Sequence, residues 1–325
     1  MTTYKGINGF AVQSVASDPS PLDEGQVWYN NATYAFKLAG LSTVGTWASG
    51  GNLSNAKLFS AAGAGTQTAT LAFSGTPAPL GPITELYNGT SWTTSPATMN
   101  TSKSENAGFG TQTAAVSCGG EPAPTNTSEN WNGTAWTSSG TLNTGVNGLA
   151  AAGTQTAGLK FAGSPDTGAT ESYNGTSWTS LPASISQGRS LLAGCGTQTA
   201  ALAFGGATYP PIVNRATTDS WNGTAWTTVN SLNTARRRLA GAGTQTLAVA
   251  FGGGNAPPQT DATETWNGTS WTTNPNSMST ARSQLGGKGT QLAAIAFGGS
   301  TPSLSTATEE FTGPGAPVTQ TITTS

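Results

Sequence analysis

Six acidic side chains occupy one place in a recurring pattern: Glu85, Glu129, Glu171, Asp219, Glu264 and Glu309, each two residues before an aromatic residue. Paired carboxylates are the equipment of general acid/base chemistry and of glycoside hydrolysis, where two of them flank the bond that breaks. One carboxylate per repeat at a fixed position points to architecture instead. A carboxylate lodged against aromatic rings must find donors, and the expectation is a buried contact between successive modules. Its expected partners are Lys103, Arg189, Arg236 and Arg282, each seven residues before a recurring Gly-Thr-Gln. Glu309-Glu310 is the one unrepeated acidic pair, and it lies in a repeat-derived strand, so no catalytic residue is assigned. The chain contains no histidine, and no metal ligand set or cofactor is expected. Cys118 and Cys195 fall at different positions of different repeats, where other copies carry Phe or small residues, and read as small buried hydrophobes.

The elements that must position these groups follow from the repeat. Gly-Thr-Gln starts at Gly65, Gly110, Gly153, Gly196, Gly243 and Gly289, a period of 43 to 47 residues, and such periods mark stacked supersecondary units. Each copy reads as four strands. In the fifth, an Ala/Gly-rich strand near Leu239–Gly243 suits a crowded axis, Leu247–Phe251 is the most apolar, a third strand ends at Trp266 and a fourth begins at Trp271. Trp92, Trp136, Trp178 and Trp226 open the equivalent fourth strands. Asn-Gly at Asn88, Asn132, Asn174, Asn222 and Asn267 predicts two-residue type I′ hairpins. That register would set Trp266 opposite Thr269 and Glu264 opposite Trp271, with Glu264 and both tryptophans on one side of the sheet. Asn-Gly-Thr also matches the N-glycosylation pattern; the turn explains it first.

The sixth copy stops at Phe311 without its Asn-Gly hairpin or fourth-strand tryptophan. The segment from Gly45 to Ser54 resembles Gly223–Leu232, so Trp47 is expected to supply the missing outer strand. The predicted fold is all-β: a six-bladed β-propeller with four-stranded blades, closed by an N-terminal strand that completes the last blade and leaves no open edge. The expected domains are an arm at 1–44 containing a β-hairpin, a propeller at 45–311 whose residues 45–53 form the last blade's outer strand, and a tail at 312–325.

Composition agrees. Gly is present at 44 copies, while ten Trp and ten Phe can fill a core. Charged residues are 8% of the chain and the net charge is −2, which offers no footprint for nucleic acid or an anionic membrane. No stretch of 18 apolar residues and no basic-then-apolar leader is present; neither a cleavable signal nor a membrane span is expected.

Double glycines after an apolar strand (Gly119-Gly120, Gly205-Gly206, Gly252-Gly253, Gly298-Gly299), an acidic-x-aromatic element, a tryptophan and a following arginine together resemble the kelch repeat over about residues 45–311. Two copies put Ser74 or Ala162 in place of the first glycine, and the aromatic-to-Trp spacing of five is shorter than the usual kelch spacing. The kelch-related galactose oxidase holds copper with histidine and tyrosine, so the absence of histidine argues against that activity. The hairpin also resembles the sialidase Asp-box faintly, without its aspartate. Residues Glu24–Lys37 resemble the G-x-x-W-Y-N hairpin near the start of virion structural proteins of marine tailed bacteriophages. That resemblance implies a virion location, with the arm contacting other virion proteins, and by analogy with phage fibres a trimer; an ordinary hairpin of no special meaning is the alternative.

In such a ring the Gly-Thr-Gln and Asn-Gly turns share one face, and the divergent loops after the second and fourth strands share the other. Recognition normally resides on such loops. The longest carries Tyr209 and Arg215, with Arg236-Arg237-Arg238 nearby, and Tyr209, Arg215, Arg237 and Arg238 are the candidate contacts to a host surface glycan or receptor. Against this stands the reading that Arg236 is the repeat's structural arginine and its neighbours are solvated. Two other functions stay open: a structural or decoration protein of capsid or tail with no receptor role and, ranked last, a glycan-cleaving enzyme.

Overall fold

The computed structural model describes residues 12–20, 25–55, 62–75, 82–122, 125–165, 167–254, 258–301 and 303–322. The loop tips at 76–81, 123–124, 166, 255–257 and 302, together with 1–11 and 21–24, lie outside them, so the loop and arm expectations that fall there are not described.

Among the described residues the chain is all-β, and six four-stranded antiparallel sheets repeat one order in a propeller-like arrangement. The fifth is representative: Ala240–Gly243, Ala248–Phe251, Thr263–Trp266 and Trp271–Thr273. The sixth takes Gly286–Gly289, Ala293–Phe297 and Thr308–Thr312 from the end of the repeats and its outer strand, Thr46–Ser49, from near the amino terminus. Trp47 pairs with Phe311 there, the place expected for it. Small residues line the first strands because phenylalanines from the preceding sheets' second strands lie against them: a Cβ on Gly241 would sit 2.4 Å from Phe204 Cζ, and one on Gly194 2.5 Å from Phe161 Cζ.

The hairpin register differs from the expectation. Trp266 pairs with Trp271 and Glu264 with Thr273, so four residues, Asn267 to Ser270, form the loop. Only the glycine has positive φ, +91° at Gly268, and Asn267 does not. The asparagine works through its side chain: Oδ1 accepts from the backbone N–H groups of Thr269 and Ser270, both at 2.9 Å. Asparagine's ability to hydrogen-bond the backbone two residues on won over its tolerance of left-handed φ. A shift of two residues keeps every side chain on its face, so the glutamate and both tryptophans still share one side.

The chain ends meet in a further sheet. Val27–Asn30 and Ala35–Leu41 form the hairpin expected in the arm, Gln13–Val15 adds in parallel, and Pro317–Thr321 pairs with Ala35–Leu41. Arm and tail are thus one unit. It grows out of the sixth sheet where the other sheets have their Asn-Gly hairpin: beyond the Thr46/Thr312 pair both chains run on into it, and Gly313 N–H donates to Leu292 O beside the last Gly-Thr-Gln turn.

Candidate functional site

Three side chains per module fasten each sheet to the one before it. The fourth-strand tryptophan donates its indole N–H to a Thr or Ser at the start of the preceding sheet's third strand: Trp92 to Thr308, Trp136 to Thr84, Trp178 to Ser128, Trp226 to Thr170, Trp271 to Thr218 and Trp47 to Thr263, at 2.8 to 3.2 Å. The same ring meets a phenylalanine of that sheet's second strand, as Trp136 meets Phe73 with centroids 4.8 Å apart. In the second sheet Cys118 occupies the phenylalanine's place, and Phe109, from the first strand, packs against Trp178 instead. Burial pushes both thiols, Cys118 and Cys195, up to about 12, consistent with inert core groups.

The glutamine of Gly-Thr-Gln is a fastener that its spacing marked and its role did not. Gln112 Nε2 donates to Thr70 O and Tyr87 O of the preceding sheet, and Gln155, Gln198 and Gln291 repeat the pair of bonds. Gln67 of the first sheet reaches Ala294 O and Phe311 O of the sixth.

The acidic residues are buried, as expected, and hold the crossovers between sheets. Glu85, Glu129, Glu171, Glu264 and Glu309 accept backbone N–H groups of Ser54, Asn100, Asn143, Asn233 and Ser279, at 2.6 to 2.8 Å. Asp219, one methylene shorter, takes Thr228 Oγ1 and Arg189 Nη1 instead. Lys103–Glu129, Arg236–Glu264 and Arg282–Glu309 are the other expected ion pairs, at 3.8, 3.1 and 2.7 Å. In the third sheet the cation position holds Val146, and Lys160 from the second strand reaches Glu171 at 3.3 Å. Glu85 has no cationic partner among the described residues. Burial lowers the pKa of Arg282, Arg236 and Lys103, with the carboxylates opposing it.

These fasteners present the loop face. A short hairpin, Ala207–Thr208 with Val213–Asn214, carries Tyr209 at its tip, 38% exposed, beside the exposed Ile212. The four candidate contacts do not form one cluster. Arg215 Nη2 donates to Thr208 Oγ1, and Arg237 Nη1 donates to Asn214 Oδ1 at 2.9 Å with the residue only 6% exposed, so both brace the hairpin's root. Arg238 lies instead at the axial mouth.

Among the described residues, that mouth takes one residue from each of the second to sixth modules. Glu105, Gly148, Leu191, Arg238 and Gln284, each five residues before a Gly-Thr-Gln glycine, all have left-handed φ between +51° and +58°. Their backbones run round the axis as a hydrogen-bonded chain: Gly148 N–H to Glu105 O, Leu191 to Gly148, Arg238 to Leu191 and Gln284 to Arg238, at 2.7 to 2.9 Å. The sixth position, Ser60, lies outside the described residues. They line a cavity of about 110 Å³ that is open to solvent, together with Leu149, Leu192, Leu239 and Leu285. Arg238 Nη2 stands 4.0 Å from Glu105 Oε1, and burial pushes the Glu105 carboxyl up despite that guanidinium. Sequence reasoning singled out Arg238 here and missed the others. Compared with known proteins, the chain matches no protein-family model and no curated protein.

Proposed function

We propose that the six repeated sheets are the blades of a closed, kelch-like β-propeller, and that the chain is a non-catalytic virion protein of a tailed bacteriophage, tail-fibre or spike-like, which binds a host surface glycan or receptor through its loop face. Support for closure comes from the Trp92–Thr308 and Gln67–Phe311 bonds, which link the first and sixth modules by the same contacts that link their neighbours. Support for the virion setting is the resemblance of residues 24–37.

The observation that carries the functional reading is polarity. The terminal sheet leaves the sixth module on the side of the uniform turns, and the divergent loops lie opposite. A module anchored by one face displays the other. The terminal sheet also exposes Val27, Phe36 and Ile322, Phe36 by 50%, which suits docking to other virion proteins. The same feature supports a second reading, a structural decoration of capsid or tail without a receptor role.

Antibodies to the Tyr209 hairpin and to the terminal sheet, applied to intact particles, separate these readings. The loop-face antibody is expected to bind intact particles and block adsorption to host cells, and the terminal-sheet antibody to bind only disrupted ones. Adsorption undisturbed by bound loop-face antibody selects the decoration role. The reverse accessibility overturns the polarity.

A further inference from the structure

The axial mouth on the loop face is a binding site in its own right, and the geometry points to its ligand: we propose that the ring of Glu105, Gly148, Leu191, Arg238 and Gln284 takes the uncharged terminal sugar of a glycan, end-on, along the axis. The inference rests on the loop face being the recognition face and names the place and the chemistry on it.

The backbone comes first. A left-handed φ is unfavourable for any residue with a Cβ, yet four of the five described ring residues are not glycine. Tertiary hydrogen bonds hold the conformation, the N–H groups of Gly148, Leu191, Arg238 and Gln284 each donating to the carbonyl of the preceding module's ring residue. The side chains are therefore free to differ while the backbone stays the same. They do differ: a carboxylate, a hydrogen, an isobutyl group, a guanidinium and an amide stand at five equivalent positions. Strain held in place by the surrounding structure is a feature of ligand sites, and here it recurs in five successive modules around one cavity.

The polar atoms are unsatisfied in a particular way. Gln284 is 5% exposed, and among the described residues its Nε2 has no hydrogen-bond partner; the same holds for Arg238 Nε. Both are donors and both residues line the cavity. Buried donors without partners are costly, so the site is short of acceptors, while Glu105 offers acceptors of its own. A ligand hydroxyl both accepts and donates, and neighbouring hydroxyls on a sugar ring can meet Gln284 and Glu105 together.

Charge and shape narrow the class. Glu105 and Arg238 offset one another at 4.0 Å, which favours a neutral ligand over an acid or an amine. Leu149, Leu192, Leu239 and Leu285 supply an apolar floor for the C–H face of a sugar ring. An apolar cavity of about 150 Å³ holds one benzene ring, and the mouth, at about 110 Å³, is the size for part of one six-membered ring. A peptide crossing the site would need a groove open at both ends, and a peptide terminus brings a charge.

The test is an amide NMR titration of the purified chain with methyl glycosides of neutral hexoses. For at least one glycoside, the Gln284 side-chain amide and the backbone amides of the five ring residues should shift together, saturating in the millimolar range expected for so small a contact. Gln284→Gly and Glu105→Gly should each weaken binding at least tenfold without unfolding, because Gly148 shows that the ring accepts glycine. Thr272→Ala, at an exposed position on the outer strand of the fifth sheet, should leave it unchanged. The inference is overturned if no glycoside moves the ring, if Gln284→Gly binds as tightly as the parent chain, or if a capped neutral tripeptide moves the ring in place of sugar. A glycoside that moves the Tyr209 hairpin but not the ring overturns the inference and leaves the loop-face function standing. Ring binding with adsorption untouched by the loop-face antibody does the opposite.

Discussion

The indole Nε1 of Trp47 donates to Thr263 Oγ1 at 2.9 Å, joining residues 216 positions apart. The bond copies the one from Trp271 to Thr218 at 3.0 Å, so an early segment of the chain behaves as the last repeat's fourth strand. Trp47 is half-buried, packed against Phe251 and Phe311 with centroids 5.0 Å away in each case.

Trp47→Ala should therefore cost ~3 kcal/mol, the lower end for a large aromatic truncation, and the fully enclosed Trp136→Ala ~4 kcal/mol. Urea unfolding with an unchanged m-value measures both. A Trp47→Ala chain as stable as its parent would refute the closure.

Gln112→Ala removes two donors at once and leaves Thr70 O and Tyr87 O without them, at a cost of ~2 kcal/mol. Gln67→Ala should cost as much, and hydrogen exchange should rise in the first and sixth sheets before the third and fourth. Uniform acceleration across all sheets would show that the glutamine bonds are not local fasteners.

In the third sheet, Lys160→Ala should cost ~3 kcal/mol, because Glu171 is left buried without its cation. Adding Val146→Arg places a guanidinium where Arg189, Arg236 and Arg282 stand in their own modules, and most of the loss should return. Failure of Val146→Arg to rescue would mean that the cation position is not equivalent there.

Lys288 takes the place of Ala64, Ala152 and Ala242 beside the axis and donates to Gly108 O at 2.9 Å. Burial lowers its pKa from the usual 10.5 to about 8. Between those values the unfolded chain binds the proton that the folded chain has released, so stability rises with pH across about 8 to 10.5. Below pH 8 both states are protonated and the penalty is constant. Lys288→Met should be the more stable chain at pH 7, and its advantage should shrink as pH climbs to 10. An advantage independent of pH would place the lysine's charge in water.

Much of the architecture was legible in the residues. The Gly-Thr-Gln period, the acidic-x-aromatic element and the orphan Trp47 follow from repetition, and a repeated module must bury the same groups in the same way each time. That logic identified Arg189, Arg236, Arg282 and Lys103 as partners of the acidic residues. It missed Lys160, because the third module solves the same electrostatic problem from a different strand. It also placed the Asn-Gly turn two residues short, since local φ preference and side-chain capping compete at asparagine and only the cross-strand pairing of Trp266 with Trp271 decides between them.

What the sequence by itself determined is the module: its strands, its turn residues and the groups each copy must bury, all of which depend on neighbours within some 45 residues. What only the tertiary structure decided is everything made where modules or chain ends meet. Pairing of Ala35–Leu41 with Pro317–Thr321 leaves no periodic trace. The left-handed ring at Glu105, Gly148, Leu191, Arg238 and Gln284 leaves none either, because hydrogen bonds between modules, not side-chain preference, hold its φ.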